Sequence, residues 1–164
     1  MSRTLLFIAL VLALCTSAHA QLVLVETGGT FRGDATNIAA ASNGATAIGQ
    51  DEYGAGVHFI TGINNGSYGN SSSWIGENEQ PSWVGVIFSA PSTVASFAFG
   101  RDNTGGFGDR AGGQYFIEYT TDAVTPGTAA SATWTQAAFL NHAHVPPPLP
   151  SFRHLYDFDV ALTG

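Results

Sequence analysis

The chain has 164 residues, five of them basic and all five arginine, against twelve acidic, a formal net charge of −7 at pH 7. A surface this acidic and this thin in cations disfavours nucleic-acid backbones and anionic membrane faces, since both need clustered Lys or Arg to displace counterions. Eleven Phe, five Tyr and three Trp supply enough buriable area to exclude a disordered chain, despite the abundance of small and polar residues.

The first twenty residues have the pattern of a secretory signal peptide. Arg3 precedes the apolar run Leu5 to Leu14, and Ala18-His19-Ala20 is a small-x-small cleavage signal. The run is far shorter than the roughly twenty residues that cross a bilayer as a helix, so no membrane span is expected once it is removed. Lipid attachment at Cys15 would call for a small residue before it, and Leu14 is not small. Cleavage after Ala20 is therefore expected, with secretion to the periplasm or the exterior. Residues 21–164 then form one domain, large enough to bury a core without metal or disulfide support. Cys15, the sole cysteine, leaves with the signal.

Apolar residues come in short runs broken by Gly, Asn, Pro or Asp, the pattern of antiparallel strands. In chain order, Leu22 to Glu26, Val57 to Thr61, Trp83 to Phe88, Val94 to Gly100, Tyr115 to Thr121 and Tyr156 to Val160 are predicted strands. Trp83 to Phe88 is apolar on both parities, which predicts cover on both faces. Ala95, Phe97 and Phe99 are expected on one face of their strand; Tyr115, Ile117 and Tyr119 on one face of theirs; and Tyr156, Phe158 and Val160 on one face of the last. Ile38 to Gly49 is an Ala-rich connection with room for one helical turn. Gly105 to Gly113 and Val124 to Ala132 are loops, and Pro146 to Pro150 is a stiff polyproline segment. No repeat and no second domain is visible.

The succession Asn64-Asn65-Gly66-Ser67-Tyr68-Gly69-Asn70-Ser71-Ser72-Ser73-Trp74, then Trp83 to Phe88, then Tyr115 to Asp122, then Trp134-Thr135-Gln136, resembles the discoidin-type module. That family, the coagulation-factor C-domain type, is a galactose-binding-like β-sandwich, and the likeness is to its bacterial secreted variety. The resemblance implies an all-β, antiparallel, jelly-roll-like β-sandwich. Members similar to this chain continue past an Ala-x-x-Gly like Ala161 to Gly164 into one or two closing strands. The final strands are accordingly expected to be missing, from a fragment or from a sheet with an open edge. Trp74, Trp83 and Trp134 fall where the family places core or sheet-edge tryptophans.

The same resemblance implies where chemistry would lie. In related modules the turn corresponding to Asn64–Trp74 wraps a structural calcium, which carries over to Asn65, Asn70 and Ser72 as ligands, calcium taking six to eight oxygens. Asn65 stands where an Asp often stands, and the plainer alternative is a hydrogen-bonded Asx turn. Opposite charges concentrate at Arg101, Asp102, Asn103 and Arg110. Beside an aromatic platform of Tyr53 or Phe107 these form a candidate sugar-binding set, polar groups on hydroxyls next to a ring. Against that stands an Arg–Asp pair that merely fixes a long loop.

His142-x-His144 with His154 downstream falls short of a zinc site, which takes three or four ligands with supporting carboxylates. Glu77 and Glu79 do not by spacing set up the opposed acid and base of a glycosidase. Asn65-Gly66-Ser67 and Asn70-Ser71-Ser72 are chance matches to the N-glycosylation pattern in an Asn/Ser-rich loop. No nucleophile elbow, phosphate loop or metalloprotease helix appears. The expected function is an exported, non-catalytic binding module for carbohydrate or another cell-envelope polymer. The alternatives are a structural surface or spacer domain with no small ligand, and an accessory domain cut from a larger secreted hydrolase.

Overall fold

The computed structural model describes residues 19–28, 31, 34–50, 52–53, 56–76, 82–100, 112–142 and 153–163. Among these the chain forms seven strands, joined by short 3-10 turns and no α-helix: β1 (Leu22–Thr27), β2 (Thr46–Gly49), β3 (Val84–Ile87), β4 (Thr93–Phe99), β5 (Gly113–Tyr119), β6 (Thr135–His142) and β7 (His154–Thr163). All strand pairs are antiparallel. They assemble into a three-stranded sheet of order β1-β7-β4 and two two-stranded sheets, β2-β3 and β5-β6. The all-β class is therefore as the alternation implies. Trp83 to Phe88, Val94 to Gly100 and Tyr115 to Thr121, however, give β3, β4 and β5, which fall in three different sheets.

The three-stranded sheet and the β5-β6 pair meet at one core. Ala137 and Ala138 of β6 are buried against Phe158 of β7. Leu22, Val94, Phe97, Ile117, Tyr119 and Leu162 pack around them. Two consecutive alanines let the β6 backbone approach Phe158, whose ring then fills the space a larger neighbour would have taken. Phe97 stacks on Tyr156 (5.4 Å between centroids) and leans on Phe158 (5.5 Å), while Phe99 meets Tyr115 of β5 at 4.6 Å. The three tryptophans are only half-buried. Trp134 donates its indole N–H to the Ala129 carbonyl and so caps a loop.

β7 is the central strand, and His154, Leu155 and Tyr156 are all buried in succession. Three neighbouring residues cannot all be inside unless both faces are covered, because side chains alternate. The strand loses its regularity further on. Val94 pairs with Leu162 but Ser96 with Asp157, so residues 158–161 lie opposite Ala95 alone. This break sets two expected faces differently. Ala95 turns outward while Val94 and Phe97 enter the core. Val160, expected beside Tyr156 and Phe158, is 67% exposed. On β5, Tyr115, Ile117 and Tyr119 do share the inner face, with Phe116 and Glu118 outside.

Two connections also differ from expectation. Ile38 to Gly49 contains a 3-10 turn, Ala41–Asn43, and then the strand β2. Val57 to Thr61 is not a strand: His58 makes a single bridge to Tyr53, and a 3-10 turn begins at Ile60. Gly56 at φ +72° turns the chain sharply before it. The Glu52 side chain then accepts the Ile60 N–H at 2.7 Å, a bond that starts the turn rather than a ladder.

Because Phe158 is the one buried ring among the described members of the cluster, Phe158→Ala is expected to destabilise by about 3–5 kcal/mol in denaturant unfolding. Phe116→Ala, on the outer face and 64% exposed, is expected to change stability by less than about 1 kcal/mol. Equal effects at the two positions would contradict this placement of the core.

Candidate functional site

The described residues between Glu52 and Trp74 form no ladder longer than a single bridge, yet they are tied down by buried polar groups. His58 is buried and its Nδ1 shares a hydrogen bond with Ser73 Oγ at 3.1 Å. Gly62 permits this closeness: a Cβ there would stand 3.2 Å from the Ser73 backbone. Asn64 is buried too, and its amide donates to the carbonyls of Ala39 (3.0 Å) and Ala45 (3.3 Å), while its own carbonyl accepts from Ala41. Tyr53 N–H donates to the Ile75 carbonyl at 2.9 Å. Each buried polar group has a partner, so the loop is ordered by hydrogen bonds where a sheet ladder is absent.

On this scaffold several large apolar side chains face solvent. Tyr53 is 47% exposed, Phe59 46%, Tyr68 45% and Val57 42%. The Tyr53 ring is tilted toward His58, 6.3 Å between centroids. Tyr68 is fixed from the other side by Arg153, whose Nη1 donates to its hydroxyl at 2.9 Å and whose guanidinium lies 4.0 Å from its ring centre. That same guanidinium lies 4.7 Å from the centre of Phe31 and pairs with both oxygens of Asp34, at 3.0 and 3.3 Å. Arg153 is buried, and only a planar, bidentate cation can hold a carboxylate while stacked on two rings.

The predicted site residues distribute as follows. Tyr53 is on this exposed loop face. Arg101, Asp102, Asn103, Phe107 and Arg110 lie outside the described residues, as do Glu77, Glu79 and His144. Asn65 Oδ1 accepts the Ser67 N–H at 2.8 Å, the Asx turn, and Asn70–Ser72 is a 3-10 turn. Among the described residues no group of three His, Cys, Asp or Glu side chains converges to hold a metal ion. Phe59 and Tyr68 were not singled out by the sequence. Phe59 lay inside a predicted strand, and nothing local to Tyr68 points to a partner 85 residues away.

Two further features lie on the sheets. Between β1 and β6 runs a groove of about 600 Å³, lined by Leu22, Leu24, Phe139, Leu140, Asn141 and Tyr156, with residues 19–21 at one end. His142 of β6 and His154 of β7 lie edge to face, 5.0 Å between ring centres. His142 Nδ1 shares a hydrogen bond with the Tyr156 hydroxyl (3.2 Å), and His154 Nδ1 one with the Thr27 hydroxyl (3.1 Å). Phe99 packs edge-on against His142 at 5.3 Å. Burial, and secondarily His154 itself, pushes the His142 imidazole below its ordinary 6.5. Burial pushes the Tyr115 and Tyr156 hydroxyls up, so both stay protonated.

His142 makes stability depend on pH with a definite sign. The unfolded chain protonates His142 near 6.5 and the folded chain only below that. Stability is therefore fully present above 6.5 and is lost as pH falls from there toward the lowered folded value. The melting temperature is expected to drop as pH falls below 6.5 toward that lowered folded value. His142→Phe, which keeps the ring but not the titration, is expected to flatten that drop; the same slope in both proteins would assign it elsewhere.

Set against known proteins, the chain matches no protein-family model, no curated protein and no solved structure.

Proposed function

We propose that this protein is an exported, non-catalytic binding module that takes carbohydrate or another cell-envelope polymer on the loop face around Tyr53, Phe59 and Tyr68. The observation that carries this is the contrast within one loop. Tyr53 and Phe59 are nearly half exposed, while His58, between them in sequence, is buried and hydrogen-bonded. Aromatic rings held open to solvent on a fixed backbone offer flat apolar area beside polar edges, at little ordering cost. Polymeric sugars present alternating apolar faces and hydroxyls that such a surface can meet. The galactose-binding-like, jelly-roll reading of the sequence supports the same assignment, as does the leader ending at Ala20, which directs the domain out of the cell.

The test is retention on a glycan array and on insoluble polysaccharides. Wild-type protein is expected to be retained by at least one class, and Tyr53→Ala to weaken that retention about tenfold, near 1.4 kcal/mol, with an unchanged melting temperature. Silence across all glycans, or retention indifferent to Tyr53, defeats it.

A structural calcium at Asn65, Asn70 and Ser72 belongs to the same proposal, and melting curves with added calcium and with chelator address it: a rise with calcium supports the site, and superimposable curves remove it.

One observation favours a second reading, a structural surface domain that self-associates. Phe116 and Phe139 pair across β5 and β6 on the outside, 5.5 Å apart and 64% and 44% exposed, and Val23 and Val25 are exposed on edge strand β1. Concentration-dependent sedimentation together with a silent glycan array would select it.

A further inference from the structure

Gln21 is held at both ends by one residue. Its backbone N–H donates to Asp159 Oδ1 at 2.8 Å, and its carbonyl accepts the Asp159 N–H at 3.0 Å. The two residues before it are bound to a different strand. Ala20 N–H donates to the Ala137 carbonyl at 2.7 Å, and His19 Nδ1 lies 3.2 Å from the Gln136 carbonyl. A cut between Ala20 and Gln21 therefore removes the hydrogen bonds of residues 19 and 20 to β6 and leaves those of Gln21 to β7 in place. The nitrogen that was a neutral amide becomes an ammonium, already at hydrogen-bond distance from a carboxylate. No rearrangement is needed to form the pair, because β1 continues from Leu22 in register with Phe158.

We propose that Asp159 is the receptor for the amino terminus of the mature chain and that, by holding the Gln21 ammonium, it protects Gln21 from cyclisation; this rests on the processing after Ala20 proposed above. An amino-terminal glutamine cyclises when the lone pair of its neutral α-amine attacks its own Cδ. The N–Cδ bond forms, the Cδ–Nε bond breaks, and ammonia leaves carrying the proton the amine gives up. An ammonium has no lone pair to attack with. An opposite charge at hydrogen-bond distance favours the charged form, and each unit by which it does so makes the reactive neutral form about tenfold rarer. Both Gln21 and Asp159 are solvent-exposed, which screens the pair, so a protection of about threefold to tenfold is expected. The backbone bond from Asp159 to the Gln21 carbonyl adds a steric hold, since it keeps the residue extended along β7.

The experiment uses the full-length gene in a secreting host, with the exported protein read by intact mass. The mass first reports where the chain begins. It is then followed on storage for loss of one ammonia, in wild type, in Asp159→Asn and in Asp159→Glu. The expected result is a chain starting at Gln21, with cyclisation about threefold to tenfold faster in Asp159→Asn than in wild type, and protection largely restored by Asp159→Glu. A start other than Gln21 overturns the processing step and the proposal with it. A start at Gln21 with equal rates, or a wild-type protein collected fully cyclised, overturns the role of Asp159 and leaves the processing step standing.

Discussion

The fold depends on the start of β7 being enclosed on every side while carrying polar residues. Its edges are hydrogen-bonded to β1 and β4, and both faces are covered from His154 to Tyr156. Burying an imidazole or a guanidinium without a partner costs several kcal/mol, so each of these groups dictates a neighbour. His154 requires the Thr27 hydroxyl, Tyr156 the imidazole of His142, and Arg153 the carboxylate of Asp34 and the hydroxyl of Tyr68. Those partners come from β1, β6 and two separate loops. The apolar core alone would tolerate these elements in several arrangements, because small side chains such as Ala137 and Ala138 specify little. The buried polar set removes that freedom.

Arg153 extends the same logic beyond the sheets. It lies immediately before β7, and the Gly28 N–H donates to its carbonyl. Its side chain gathers Phe31, Asp34 and Tyr68. A chain whose only cysteine is Cys15 cannot staple such loops with an internal disulfide. A cation stacked between two rings and bound by two carboxylate oxygens does comparable positional work, though without covalent strength. Losing Asp34 would remove a charged partner from a buried guanidinium, which is more damaging than never having had the pair.

The sequence shows clearly what depends on alternation and poorly what depends on partners far along the chain. β5 is readable because Tyr115, Ile117 and Tyr119 alternate cleanly with Glu118 and Thr120. β1, β3 and β4 are found to within a residue or two because each is a short, strongly apolar run bounded by turn formers. β2 hides in an Ala- and Gly-rich run, since Thr46 to Gly49 has no strong alternation and gains its strand character from pairing with β3. Val160 is misplaced because the break opposite Ala95 is a property of two strands together, invisible in either one. The site follows the same division. Tyr53 is recognisable as an aromatic among polar loop residues. The burial of His58 and Asn64, and the reach of Arg153 to Tyr68, arise from tertiary hydrogen bonds that no local pattern encodes.

These two kinds of order meet at Tyr68, which belongs to the exposed loop face and also receives the buried cation of β7. Tyr53 and Phe59 are held by bonds internal to residues 52–75, through Glu52, His58 and Ser73. The loop face is thus anchored twice, locally and to the central strand. A ligand resting on Tyr53 alone would sense only the local anchor. One that also engages Tyr68 would press on a ring whose position is set by Arg153, and through it by Asp34 and Phe31. Polymers are long enough to span several such rings, whereas a single sugar is not. For the proposed polymer ligand, the double anchoring matters because rings already held in place lower the ordering cost of each added contact.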